Sequence, residues 1–339
     1  MIKRVKPFYK TDWLLNLGKY IKQYDFWHDG IIEEFEKKTL EVVYRKYALA
    51  VNSGSNAIFM ALWCWKNMNP GRYEVIIPNW GYPAAFKVCD VLGLVPVPVD
   101  MDKENLSMTL DEVYLNLKNE TLAVIHIENN GVIGGAKEIG KMINDPRILY
   151  IEDSAPSLLQ ENAGMFGDVA IFSSSPTKPL ISGEGGVIVT DDLQLYMEMK
   201  QLRHLSDYKD KNPSLNFMLS PFLAAYLINQ FDYLNDMATS RIVIHNCYKR
   251  HGLNIFEESS NCHGAIMYMS PKAEKISEKL NQFGIEHRYK YYPLYSENKK
   301  MFPISHEIRK QIIDLPMHYD LDDDKIKFIC EVVKRGENE

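Results

Sequence analysis

The chain of 339 residues is poor in cysteine, has no long apolar run and carries no basic excess. Its five cysteines, Cys64, Cys89, Cys247, Cys262 and Cys330, are odd in number and scattered, with no CxxC pair and no Cys/His cluster. That usage excludes a disulfide framework, gives no metal signature and fits buried, reduced thiols in a cytoplasmic protein. No stretch of about 18 apolar residues exists, so no membrane span is expected. The opening Met-Ile-Lys-Arg-Val-Lys is basic, but polar Lys10-Thr-Asp follows where a signal peptide needs an apolar segment. Lys and Arg number 39 against 45 Asp and Glu, a net charge of −6, which leaves no electrostatic footprint for nucleic acid. A mildly acidic total still admits an anionic substrate, because local lysines and helix termini set the potential of a site. Internal repeats and low-complexity tracts are also missing.

What is present is a globular composition, 46% hydrophobic and 25% charged, with chain enough for one large and one smaller domain. Ile31 to Tyr47 has the periodicity of an amphipathic helix. From Tyr47 to about Thr190, strands near 48–52, 74–78, 95–100, 121–127, 147–153, 168–173 and 186–190 alternate with helices near 55–67, 82–92, 107–118 and 136–144. The alternation predicts an α/β fold with a mostly parallel sheet covered on both faces. Only a short loop separates the last two strands, too short for a crossover helix, so one of them should be antiparallel. A polar stretch from Asp207 reads as a mobile loop. A long helix from Ser220 to about His251 follows. The smaller domain is read as a strand at 264–269, a helix from Pro271 to Phe283, a strand from Glu286 to Tyr291 and a helix from Asp323 to Lys334. The expected division is 1–225 for the large domain with an N-terminal helical segment, and 226–339 for the linking helix and a small α+β domain.

The most informative residue is Lys178, in Ala170-Ile-Phe-Ser-Ser-Ser-Pro-Thr-Lys178-Pro-Leu-Ile-Ser-Gly-Glu-Gly-Gly186. It stands five residues after Ser173, past an apolar strand and before a glycine-rich turn. Burying an unpaired ammonium is costly, and lysine is the side chain that condenses with aldehydes to a Schiff base. Ser173 is near enough to hold an anionic group on the lysine's partner. Alone, Lys178 also reads as a surface lysine in a Ser/Pro/Gly loop. Upstream, Ile148-Leu-Tyr-Ile-Glu-Asp153 is a buried strand that ends in acids, and open α/β sheets place ligands at such strand ends. Pyridoxal phosphate needs a carboxylate to keep its ring nitrogen protonated. Asp153 suits that need, and equally suits a strand-end turn.

Tyr47-Ala-Leu-Ala-Val-Asn-Ser53-Gly54-Ser55-Asn56-Ala57-Ile58 is an apolar strand running through small residues into a helix. Such a turn lets backbone amides and the positive helix end approach a phosphate. It is not a P-loop, since the lysine and spacing are missing. In Glu74-Val-Ile-Ile-Pro78-Asn-Trp80-Gly-Tyr82, a strand and a proline stop lead to an aromatic turn. Tyr82 either stacks on a flat heterocycle or packs in the core; Trp80 reads as core.

In order, these segments resemble the DegT/DnrJ/EryC1/StrS family of sugar aminotransferases. The resemblance covers Ser53 to Ile58, Val75 to Tyr82, Gly93 to Asp100, Glu152 to Ala155, Gly167 to Ser173, Lys178, Gly183 to Gly186, Leu215 through Ala225, and Asp314 to His318. It implies a fold-type I pyridoxal-phosphate transferase. Lys178 and Asp153 are then catalytic, and Gly54, Ser55, Asn56, Tyr82 and Ser173 join them around the cofactor. Asn216 reaches the cofactor phosphate of the partner in a homodimer with shared active sites. The implied substrates are L-glutamate and a nucleotide-linked keto sugar, in polysaccharide or O-antigen biosynthesis. A cyclitol or other small keto substrate is an alternative, as is a cofactor-free scaffold or regulator. The family's dehydratase branch has histidine in place of the lysine. Tyr291-Tyr292-Pro293-Leu294 resembles a segment that closes over the active site, with His287, Arg288 and Lys290 as candidates for substrate phosphate or as a solvated edge strand. Three departures stand out. Pro156 takes the place of a Gln or His that commonly helps orient the cofactor near its phenolic oxygen, Met218 that of an Arg, and Ser173-Ser174-Ser175 that of Ser-Phe-His.

Overall fold

Seven short apolar runs form one sheet: β1 Tyr47–Val51, β2 Glu74–Pro78, β3 Val95–Val99, β4 Thr121–Ile127, β5 Leu149–Asp153, β6 Val169–Ser173 and β7 Gly186–Thr190. The structure is a computed structural model that describes residues 1–23, 30–204, 212–256 and 265–339. The polar stretch from Asp207 lies largely outside the described residues, and so does Cys262. The strand order is β1-β7-β6-β5-β4-β2-β3. All pairings are parallel except those of β7, which runs against β1 and β6, as the short loop before it demands.

The strand period of two sorts the side chains between the faces. Leu49, Val51, Val75, Ile77, Ile125 and Ile151 point to the helices Gly54–Met68, Ala84–Leu92 and Leu193–Arg203. Ala48, Ala50, Ala170, Phe172 and Val187 point to Gly30–Val43 and Pro221–Phe231. Every residue of β4 and of β5 is buried, because these strands lie between neighbours with helices on both faces.

A second, antiparallel sheet has β8 Ile266–Met269, β9 Arg288–Tyr289 and β10 Ile312–Leu315 in the order β8-β10-β9. Helices Leu234–Arg250, Ala273–Gln282 and Asp323–Asn338 enclose it. The expected strand from Glu286 to Tyr291 shrinks to two residues, since Lys290 takes a φ of +53 and ends it. The expected long helix breaks at Asp232 and Tyr233. There the Tyr233 N–H donates to the Gln230 carbonyl, and its ring sits against Phe8 and Trp13 with the Lys10 ammonium 3.8 Å from its centroid. The 225/226 boundary falls inside Pro221–Phe231, whose Leu227 and Ile228 pack with the larger sheet. Ile2 bridges Ile285 and the Arg4 carbonyl accepts from the Met317 N–H, so the first residues run with the smaller sheet. None of the described helices is long and apolar enough to cross a membrane.

Candidate active site

The carboxyl ends of β1, β4, β5 and β6 share one edge of the large sheet, and a cavity of about 340 Å³ opens there. Its wall takes Ser53, Gly54 and Ser55 from the turn after β1, and Asp153 from the end of β5. Ser173 comes from the end of β6 and Lys178 from the loop between β6 and β7. Arg288, Tyr291 and Tyr292 arrive from the smaller sheet. Residues as distant in the chain as Ser53 and Lys178 thus meet because parallel strands deliver their ends to one place, and the smaller sheet borders the same cavity.

Lys178 exposes part of its side chain, but into the cavity, where its neighbours strip it of water. This desolvation lowers its amine to about 8; the Asp153 charge opposes the drop and the guanidinium charges of Arg288 and Arg4 add to it. Asp153 is 4% exposed and accepts a hydrogen bond from the Ala155 N–H at 3.3 Å. Burial pushes its carboxyl up, against the pull of Lys178.

Ser53 is the N-cap of Gly54–Met68, its Oγ accepting from the Asn56 N–H at 3.1 Å. The Asn56 amide turns to Asn52, 2.8 Å away, and is not on the cavity wall. Gly54 packs against Ser173, whose Cβ would lie 3.4 Å from an added Cβ. The loop that carries Lys178 closes at Gly185, where φ is +130 and an added Cβ would meet Ser174 Oγ at 2.5 Å. No other residue fits that turn without displacement.

Tyr82 stands 49% exposed on the wall, while Trp80 is buried, edge-on to Tyr292 at 5.3 Å. Arg288 lays its guanidinium over the Tyr291 ring at 3.8 Å. Its sequence neighbours face elsewhere: His287 bonds Ser277 at 2.7 Å and Lys290 pairs with Glu274 at 3.0 Å. Asn216 is exposed and lies outside the main cavity, in a depression shared with Asn52 and Ser220. Glu184 belongs to both walls.

Sequence reasoning missed Glu128, Asn129, Asn130 and Arg4. The first three follow β4 and line the cavity; the signal was a polar Glu-Asn-Asn directly after an apolar strand. Glu128 Oε1 accepts from Ser154 Oγ at 2.8 Å, and Glu152 Oε1 from the Phe166 N–H at 2.6 Å and the Gly167 N–H. Their second oxygens are buried without a hydrogen-bond partner. Burial pushes both carboxyls up, Glu128 also through the charge of Glu152. Away from the cavity, Cys247 and His251 reach Asp323 at 3.1 and 3.0 Å, but Arg250 already binds the same oxygen, so the cluster is an ion-paired clasp between helices.

Residues 2–334 match the profile of the DegT/DnrJ/EryC1/StrS aminotransferase family. The chain is 25% identical to the GDP-perosamine synthase of Escherichia coli, over 95% of this chain and 92% of that one. It is 27% identical to the UDP-2-acetamido-2-deoxy-3-oxo-D-glucuronate aminotransferase of Pseudomonas aeruginosa, over 88% and 89%. Among solved structures, Helicobacter pylori PseC, an aminotransferase of pseudoaminic acid biosynthesis, superposes with a TM-score of 0.88 at 18% identity over the full length of both chains.

Proposed function

The chain belongs to the DegT/DnrJ/EryC1/StrS aminotransferase family, whose cofactor is pyridoxal phosphate, and from that premise we propose that it moves an amino group from L-glutamate to the keto group of a nucleotide-linked sugar. One observation carries the assignment of residues: Lys178, Asp153 and the start of Gly54–Met68 face a single cavity. The relatives that act on GDP- and UDP-sugars support the acceptor class.

The residues present fit the cofactor. Gly54, Ser55 and the helix start offer N–H groups and a positive end to its phosphate, with Ser173 beside them. Once bound, pyridoxal phosphate supplies an aldehyde that takes up the donor nitrogen and a protonated ring that draws electrons from the donor α-carbon. Asp153 keeps the proton on the ring nitrogen. Lys178 Nζ would carry the proton from the donor α-carbon to the carbon that bears the aldehyde. Its lowered pKa leaves a share of free amine near neutral pH for that work. Tyr82 covers the ring face. Arg288 places positive charge where an anionic substrate enters.

Asn216 fits the same reading as a residue given to a second copy. It lies on the surface next to the cavity rather than in it, so we propose a homodimer in which each phosphate is held by one chain's Ser173 and Gly54-Ser55 turn and the other's Asn216. Four described cysteines are free and buried, which goes with a reducing, cytoplasmic setting. The test is incubation of the holoprotein with glutamate and a panel of keto-sugar nucleotides. An amino sugar formed with release of the keto acid is the expected result. Transfer to simple keto acids or cyclitols with none to sugar nucleotides overturns the acceptor.

A further inference from the structure

With Asp153 at the ring nitrogen, Lys178 at the carbonyl carbon and the serine turn at the phosphate arm, as proposed above, the cofactor ring has one orientation. On that ring the phosphate arm and the phenolic oxygen flank the carbonyl-bearing carbon on opposite sides. Ser173 and the turn after β1 lie on one side of β5, since the order runs β1-β7-β6-β5-β4. The phenolic oxygen therefore points to the other side, toward the end of β4. Pro156, on the loop after β5, lines the cavity there without a donor.

Three side chains follow β4, and two are committed. Asn130 donates to Asp314 Oδ1 at 2.9 Å and accepts from the Tyr292 hydroxyl at 2.9 Å. Glu128 accepts from Ser154 Oγ at 2.8 Å and from the Gly164 N–H at 3.4 Å. Asn129 is different. It is 2% exposed and lines the cavity; its Oδ1 has no partner, and its Nδ2 makes one long bond, 3.4 Å, to the Trp80 carbonyl. Oδ1 only accepts; the group left to donate is the second N–H of Nδ2, and a buried N–H is costly unless something absent from the bare chain accepts from it.

We propose that the Asn129 side-chain amide donates a hydrogen bond to the phenolic oxygen of the cofactor, from β4, in the place that Pro156 leaves without a donor. The opposing role is structural, with the amide merely propping the turn at Gly81, where an added Cβ would come within 3.2 Å of Oδ1.

The experiment reads the bound cofactor's visible band against pH and the cofactor's dissociation constant. A donor to the phenolic oxygen stabilises its anionic form and lowers the pH midpoint of the colour change. Asn129→Ala should raise that midpoint by about one pH unit and weaken cofactor retention by about tenfold. Asn129→Ser, a smaller disturbance of the turn, should shift the midpoint the same way and serves if the alanine variant does not fold. Asn130→Ala, whose amide is already committed, should leave the midpoint in place. A wild-type midpoint in both Asn129 variants, or a shift seen only in Asn130→Ala, overturns the inference and leaves the cofactor site standing. A wild type that takes up no cofactor and shows no band overturns the reading of the site itself, and this inference with it.

Discussion

At the scale of the residue, the site turns on two side chains held in disfavoured surroundings. Lys178→Ala should abolish transamination and leave the circular dichroism unchanged. Borohydride treatment of the yellow wild type should fix the cofactor to the Lys178 peptide, and a label on another lysine would sink the assignment. Asp153→Asn should retain the cofactor but slow turnover strongly, because an amide cannot hold the pyridinium proton; near-normal turnover would leave Asp153 as a strand-end turn residue. Tyr82→Phe should be nearly silent, whereas Tyr82→Ala should weaken cofactor binding by about 1 kcal/mol or more if the ring stacks. Lys178, Asp153 and Ser173 could be read from the sequence because each follows an apolar run. Asn129 also follows an apolar run, but what sets it apart from Asn130 is its surroundings, assembled from distant segments, with Trp80 49 residues away; Arg4 had no such run before it, and Asp314 faces it from the far end of the chain.

At the scale of the element, the apolar runs gave the seven strands of the large sheet to within a residue or two and two of the three strands of the small one, while its central strand β10 stayed hidden. β10 is four residues long and carries Asp314 in its middle, bonded to Asn130. An acid inside so short a run erases the pattern that marks a strand. The ends of β4 and β5 bring the buried carboxyls of Glu128 and Glu152 near each other, a placement that no pattern reveals because it depends on strand pairing, His126 beside Glu152 and Ile127 beside Asp153. Both carboxyls hold a proton more tightly in the folded chain than the ordinary 4.5. Their contribution is therefore full below that value and is lost as pH rises through the raised one. Wild-type melting temperature should fall from pH 5 to 8, and Glu128→Gln, which cannot ionise, should fall less. Parallel curves for the two proteins would show that the pair holds no proton.

At the scale of the whole molecule, the proposed dimer makes the same contact twice about its axis. Mixing Lys178→Ala chains with Asn216→Ala chains should form a heterodimer in which one site carries neither lesion, and activity should return to a fraction of wild type. A heterodimer that forms and recovers nothing would place Asn216 outside the partner's site. Asn216 stands exposed on the single chain, and the resemblance alone gave it a role.

The chain passes between the larger and smaller sheets at two places, through residues 5–11 and at Asp232–Tyr233, and Phe8, Lys10, Trp13 and Tyr233 stitch the two passages together. Of these, Phe8 also borders a small void that Lys178, Met237 and Tyr319 line with it. The opposite rim is fastened as well: Trp80 bridges Leu294, and Asn79 takes the Tyr295 and Ser296 N–H groups. A cavity held on both flanks behaves as a vise rather than a door, and its width is set before anything enters. A fluorophore pair spanning the rim near Tyr291 and a pair straddling Tyr233 should both keep their separation when substrate binds; a large change at the rim would show that the Asn79 clasp opens.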